Sequence, residues 1–269
     1  MTDRIRGSVF GIVESSKKFE KNELKDIAKE RIDRLIENLL EKFYSNVPYA
    51  KHLMTSNQVN PDYYRLYTIE IILRLRMKRV IDGLTIHYFT KEDPFLAAQW
   101  CKYSEDEMLH DSLFIADLER LGMTKAEVYQ TEPLFATKLL QGYFYFGLEH
   151  EGRPLASLSS SYFIEFAGHK TQGKWLSNVS KSLGKQTIKG AQAHVAHDDA
   201  DDHADFVWDV LSSFVTAEKD IEEIETHIKN VYRLFVMFFY ELYAKTIEKN
   251  DEPFDVLLFP EASATKMSA

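Results

Sequence analysis

Apolar residues recur along most of the chain at spacings of three and four, the period of a helix with one buried face. The pattern predicts seven helices. The first runs from about Lys21 to Tyr44, with Ile32, Leu35, Ile36, Leu39 and Phe43 on one face, and Val47-Pro48 ends it. The second starts at Pro61, a residue suited to a first helical turn, and continues to about Tyr88 through Ile69, Leu73, Met77 and Leu84. Asp93-Pro94 opens the third, which stops at Leu121-Gly122, glycine being the common residue just past a helix end. Thr124 and Glu127 have the spacing of a capping box and start the fourth, which reaches Glu151-Gly152. The fifth spans about Pro154 to Leu183, the sixth Ile188 to Phe214 and the seventh Lys219 to Lys249.

No segment alternates convincingly as a strand. The expected fold class is therefore all-α, a single helical domain over residues 1–269 with a core at about 20–249 and irregular ends at 1–19 and 254–269. The 11 glycines and 7 prolines fall between the periodic segments, which fits short connections.

Composition narrows the function. A net charge of -9 argues against a nucleic-acid partner. The nearest approach to a basic stripe is Arg74, Arg76, Lys78 and Arg79, whose spread around one helix reads as a solvated face. The one cysteine, Cys101, excludes a disulfide framework and reads as a core residue beside Trp100. No apolar run reaches membrane-spanning length. The densest, Leu234 to Leu242, is short and carries Glu241. A cytoplasmic protein is the expectation.

Candidate chemistry lies on three helices. Glu107 and His110 are three apart on the third, hence neighbours on one face, and that face also holds Trp100, Phe114 and Leu118. An unpaired carboxylate on an apolar face is costly; a metal is the simplest partner, a surface Glu beside a hydrogen-bonded core histidine the plain alternative. On the fifth, Glu165 shares a face with Leu158, Tyr162 and His169 in an apolar neighbourhood; its other candidate partner is an arginine such as Arg153 or one from the second helix.

The sixth carries A-H-V-A-H-D-D-A-D-D-H-A-D-F, residues 193–206, with His194, His197 and His203 among five aspartates. Projected back from Phe206, Val207, Val210 and Phe214 at about 100° per residue, His203 falls on the core face with Asp199 beside it, and His194 faces solvent if the helix is continuous. A ligand from His194 or His197 requires a late helix start or a bulge. Carboxylates and imidazoles spread over facing helices suit iron or manganese better than structural zinc. Six or more such groups are enough for two ions sharing a carboxylate, with Glu165 the natural bridge.

With these motifs in place the chain resembles the haem-oxygenase-like diiron oxidases and oxygenases, a seven-helix bundle family. The run L-H-D-S-L-F-I-A-D-L-E-R-L-G, residues 109–122, is similar to the family's helix around its first histidine ligand. The family often has Glu seven residues before that histidine, where this chain has Tyr103, so Glu107 would serve. On the sixth helix its usual spacing is His, Asp four on, then His three further; no such triplet occurs here, so a shift of register is required.

The resemblance implies a non-haem site of two Fe(II) ions, held by Glu107, His110, Glu165, His194, His197, Asp199 and His203, with O2 as cosubstrate. It implies N-oxygenation of an amine in a biosynthetic pathway as the first expectation, and C–C cleavage, desaturation or decarboxylation of an amino or fatty acid as the alternative. Tyr143, Tyr162 and His169 are candidate pocket residues. The expected partners are a small-molecule substrate and, at most, a second copy in a homodimer, with no nucleic acid and no membrane. Other relatives of the fold fit less well. No histidine precedes His52 to serve as a haem ligand on the first helix, Cys101 has no adjacent base, and the E-x-x-H motif of ferritin-like proteins has a plausible place only once. The reading of another class is a non-enzymatic helical protein that merely binds metal.

Overall fold

The computed structural model describes residues 4–7, 11–14, 22–201 and 203–251; the side chains of residues 4–7, 11–14 and 197–201 lie outside the description. Near the start, β1 (Arg4–Gly7) pairs antiparallel with β2 (Gly11–Glu14). These strands replace the irregular lead-in expected there; at four residues each they are too short to show an alternating pattern.

Among the described residues, all other regular structure is helical. Helix α1 (Glu23–Asn46) begins where the Asn22 side chain accepts the Lys25 amide. The one-turn α2 (His52–Thr55) leads to α3 (Pro61–Glu92), whose Asn60 cap accepts from Asp62 and Tyr63. Then come α4 (Pro94–Glu107), α5 (His110–Arg120), α6 (Lys125–Gln130) and α7 (Phe135–Tyr145), the last running into a π-helical turn, Phe146–His150. Helix α8 (Leu155–Leu183) is followed by a 3₁₀ turn, α9 (Lys189–Asp201), α10 (His203–Ser212) and α11 (Glu218–Tyr243).

The helix count is therefore higher than seven. The third and fourth expected helices are each divided in two, and α2 is added. Punctuation explains the starts that agree: Pro61, Pro94 and the Thr124–Glu127 capping box are all in place. After α5 the chain turns at Gly122 (φ +85°), and Met123 donates back to the Leu118 carbonyl at 3.1 Å, a glycine-dependent stop.

The helices pack around two apolar clusters. One gathers Ile32, Ile36, Ile81, Trp100, Tyr103, Leu158, Val207 and Ile224; the other Tyr64, Ile72, Leu73, Phe114, Leu118, Trp175, Ala191 and Phe238. Helices α3, α8 and α11 each pass from one cluster to the other, as do the α4–α5 and α9–α10 pairs. The residues at the crossings include Arg74 and Lys78 on α3, Glu107 and His110 at the α4–α5 junction, Glu165 on α8, and His194 and His203 on α9 and α10. The polar site thus lies along the seam between two greasy halves.

Buried carboxylates fix this arrangement by capping helix starts, where free amides and the helix dipole favour negative charge. Glu241 takes the amides of Phe135 and Ala136 at 3.0 Å each. Glu70 takes the Leu134 amide at 2.9 Å and the Thr137 hydroxyl at 2.6 Å. Among the described residues, no helix is long and apolar enough to cross a membrane.

Candidate metal centre

The α4–α5 junction sets the geometry. Glu107 is the last residue of α4 and His110 the first of α5, with Met108 and Leu109 making the turn between them. Both flanking residues stay buried, at 7% and 6% exposure, while Leu109 is turned out to 70%. The predicted continuous helix is therefore broken at its functional pair, and the break keeps the two side chains together.

The two oxygens of Glu107 face different histidines. Oε2 is 3.2 Å from His110 Nδ1, and Oε1 is 3.5 Å from His203 Nδ1. Around them are two sets of ligand-type atoms, each mutually within 4.8 Å. Glu107, His110 and His194 form one, and Glu107, Glu165 and His203 the other. Glu107 is common to both, in place of Glu165, the bridge expected from the sequence. The reason is position: Glu107 sits at the junction facing α5 and α10, whereas Glu165 reaches in from α8.

His194 also departs from expectation. A continuous sixth helix turned it to solvent, but the His194 ring lies 4.5 Å from that of His110 and 5.1 Å from that of Phe114. His203 is 4% exposed with its ring 5.5 Å from Tyr103. The side chains of His197 and Asp199, with those of Asp198 and Asp201, lie outside the described residues.

Glu165 is half-buried, and its oxygen Oε1 accepts the Tyr103 hydroxyl at 2.7 Å. The arginine alternative is excluded for Arg153, which instead grips Glu223 through two 2.8 Å contacts. Burial lifts the Tyr103 hydroxyl well above its ordinary value, and the charges of Glu165 and Glu107 lift it further, so it remains a proton donor. The Tyr103 ring is stacked on Phe206, and the Lys78 ammonium lies 4.6 Å from its centroid. Burial alone would raise the Glu107 carboxyl. It is outweighed by the hydrogen bond with His110 and the nearby charges of Lys78, His110 and His194, which hold it down at about 2.

A cavity of about 250 Å³ opens onto this cluster, with Glu107, Glu165, His194 and Tyr103 in its wall. The rest of the wall is largely apolar, from residues such as Phe43, Phe163, Trp175 and Phe235. None of Tyr143, Tyr162 and His169 lines it. Tyr143 is turned onto His227 Nδ1 (2.6 Å), Tyr162 is hydrogen-bonded to Asp33 and to Lys29 (3.1 Å), and His169 is exposed. Cys101 is likewise exposed: Trp100 takes the core position, and its neighbour points elsewhere.

The sequence reading missed the inner face of α3. Arg74, Arg76, Lys78 and Arg79 are all partly buried and do not form a solvated stripe: Lys78 is bound to Asp82 at 2.6 Å, Arg79 pairs with Asp111, and Arg76 lies 3.7 Å over the Tyr129 ring. Arg74 and Lys78 line the cavity. The available signal was their position between Leu73 and Ile81, both of which are core residues.

This architecture is the haem-oxygenase-like fold. A domain of unknown function with that fold from Shewanella denitrificans superposes with a TM-score of 0.67 at 19% identity, over 83% of this chain and 93% of that one. A TenA homologue from Pseudomonas syringae pv. tomato matches with a TM-score of 0.61 at 13% identity, covering 80% and 92%. A CADD-like protein of unknown function from Nostoc punctiforme matches with a TM-score of 0.61 at 14% identity, covering 81% and 99%. No family model and no curated protein sequence matches the chain. At these identities the likeness defines the fold.

Proposed function

We propose that this protein is a non-haem diiron oxygenase that uses O2 to oxidise a small organic molecule, with N-oxygenation of an amine as the reaction. The observation that carries the reading is Glu107, one carboxylate shared by two ligand groups, each oxygen facing its own histidine. The donor set of two carboxylates and three imidazoles fits Fe(II), which takes mixed oxygen and nitrogen ligands. A buried Glu107 held as a carboxylate, its Oε1 with no hydrogen bond from another described residue, is in the state needed to accept a cation.

Glu107, His110 and His194 would hold one ion, and Glu107, Glu165 and His203 the other. When bound, the pair supplies the Lewis acidity and the electrons for O2 reduction. The chain's own part is positional. Tyr103 keeps its proton on the hydroxyl and orients Glu165. Lys78 places a positive charge near Glu107. The largely apolar wall lowers the polarity around the reacting centre. The overall balance is an amine, O2, two electrons from an external reductant and two protons, giving a hydroxylamine and water.

Anaerobic Fe(II) titration of the purified protein, followed by O2 consumption with candidate amines, tests this. Two iron equivalents per chain and a product heavier by one oxygen on nitrogen are expected. Iron binding near zero, or binding unaffected by Glu107→Ala, leaves the fold and removes the oxygenase reading. Iron binding without O2 consumption favours the non-enzymatic metal-binding reading.

A further inference from the structure

Away from the ligand cluster, the same cavity holds a charge that the protein does not neutralise at contact distance. Arg74 is on α3, and its guanidinium carbon lies 4.5 Å from the Phe238 ring centroid and 5.2 Å from that of Phe235. Its Nε donates to the Glu70 backbone carbonyl at 3.3 Å, while its buried Nη1 has no hydrogen-bond partner among the described residues. It forms no ion pair with any described residue. Glu70, one turn away, has its carboxylate oxygens engaged by the Leu134 amide and the Thr137 hydroxyl. A guanidinium does not shed its proton in a protein, and a buried charge without a paired anion is costly. Lys78, the other cation in the wall, is already bound to Asp82.

We propose that Arg74 is the anchor for the carboxylate of the substrate, and that the substrate is an organic acid whose oxidised group lies at the end remote from that carboxylate. The proposal deepens the oxygenase reading and rests on it for the word substrate; the anion site itself does not. One guanidinium with no ion pair at contact distance matches one monoanion, and its planar fork fits a carboxylate through two parallel hydrogen bonds. The aromatic and aliphatic wall suits an apolar spacer.

The orientation follows from α3. Side chains on a helix lean toward its N-terminus, and the bond to the Glu70 carbonyl shows that Arg74 does so, away from Lys78. Lys78, four residues or about 6 Å further along the axis, sits over Tyr103, which in turn holds Glu165. The carboxylate head is therefore kept more than one helical turn from the level of the ligand cluster, and the far end of the molecule is directed toward it.

The test uses metal-free protein, so that iron cannot bind the acid. Octanoate and octan-1-ol are titrated calorimetrically into wild type, Arg74→Met and Arg74→Lys. The wild type is expected to prefer octanoate by about tenfold or more, the scale of a charged hydrogen bond. Arg74→Met is expected to lose that preference while still binding octanol, and Arg74→Lys to keep part of it. Independently of any variant, carbon-13 NMR of carboxyl-labelled octanoate should show the carboxyl pKa lowered on binding. Equal affinity for acid and alcohol, an Arg74→Met protein with unchanged selectivity, or a bound carboxyl pKa at or above the free value overturns the proposal. Iron stoichiometry, measured separately, decides the oxygenase reading: an octanoate site in a protein that binds no iron sinks that reading and leaves the anion anchor standing.

Discussion

The carboxylate of Asp117 on α5 takes the amide of Gly190 at 2.8 Å, and with its other oxygen the amide of Ala191 at the same distance. The start of α9 is thereby pinned to α5, the helix that begins with His110. Four residues after Gly190 comes His194, whose ring meets that of His110. A second-layer carboxylate thus sets where a candidate ligand stands. The approach is close enough that a Cβ on Gly190 would lie 1.9 Å from the Leu113 carbonyl oxygen.

Gly190→Ala should therefore push α9 off α5, because the obstacle is backbone and cannot rotate away. Overpacking of this kind costs about 1–3 kcal/mol, and each kcal/mol lowers the midpoint of a chain this size by about 2–4 °C. Thermal unfolding followed by circular dichroism measures the cost. Anaerobic Fe(II) titration of the same variant should show the equivalent bound with His194 weakened more than the one bound with His203. Equal weakening of both would mean that the contact serves stability alone.

Sharing of Glu107 makes the two acidic ligands unequal. Glu107→Ala removes a donor from both groups and should abolish tight iron binding, whereas Glu165→Ala removes a donor from one and should leave about one equivalent on Glu107, His110 and His194. Competition against a chromophoric Fe(II) chelator measures both. Equal losses from the two substitutions would contradict the shared role of Glu107.

Much of the scaffold is legible in the sequence because its punctuation is local. Asn60-Pro61, Asp93-Pro94, the Thr124 capping box and Gly122 act within a few residues, and the helices start or stop there. The break at Met108–Leu109 has no such mark. Both are good helix formers, and the turn reflects what Glu107 and His110 meet across the bundle. The projection that turns His194 to solvent takes its core face from the residues of α10, whereas the start of α9 is set across the bundle by Asp117, which brings His194 onto His110. The burial of Arg74 and Lys78 was hidden for another reason. Helix α3 is enclosed on several sides, with Glu70, Asp82 and Thr85 buried alongside Ile72 and Phe89, so it has no single polar face from which to read an interior.

Tyr103→Phe isolates the orientation of Glu165. The substitution deletes one hydroxyl in a packed site between Trp100 and Phe206 and removes the 2.7 Å bond to Glu165. Groups that orient ligands typically change metal affinity by about 10–100-fold. The iron held with Glu165 and His203 should weaken on that scale, with little change at the His110–His194 group. Fold integrity is checked by near-ultraviolet circular dichroism. If both iron affinities stay at the wild-type level, the Tyr103 bond does not orient the ligand.

The last prediction concerns pH and lies away from the metal cluster. His227 on α11 is 6% exposed and its Nδ1 meets the Tyr143 hydroxyl at 2.6 Å. Burial lowers its pKa below the ordinary 6.5, the charges of Glu151 and Glu223 oppose that shift, and Arg153 adds to it. A folded-state pKa below the unfolded one means that the unfolded chain binds the proton more readily. This contribution to stability is fully present above about 6.5 and falls as pH drops below that value toward the folded-state pKa. Urea unfolding at pH 8 and at pH 5.5 should show a larger loss for wild type than for His227→Gln, whose side chain carries no charge at either pH. Parallel losses in the two proteins would mean that His227 protonates as easily in the folded chain as in the unfolded one.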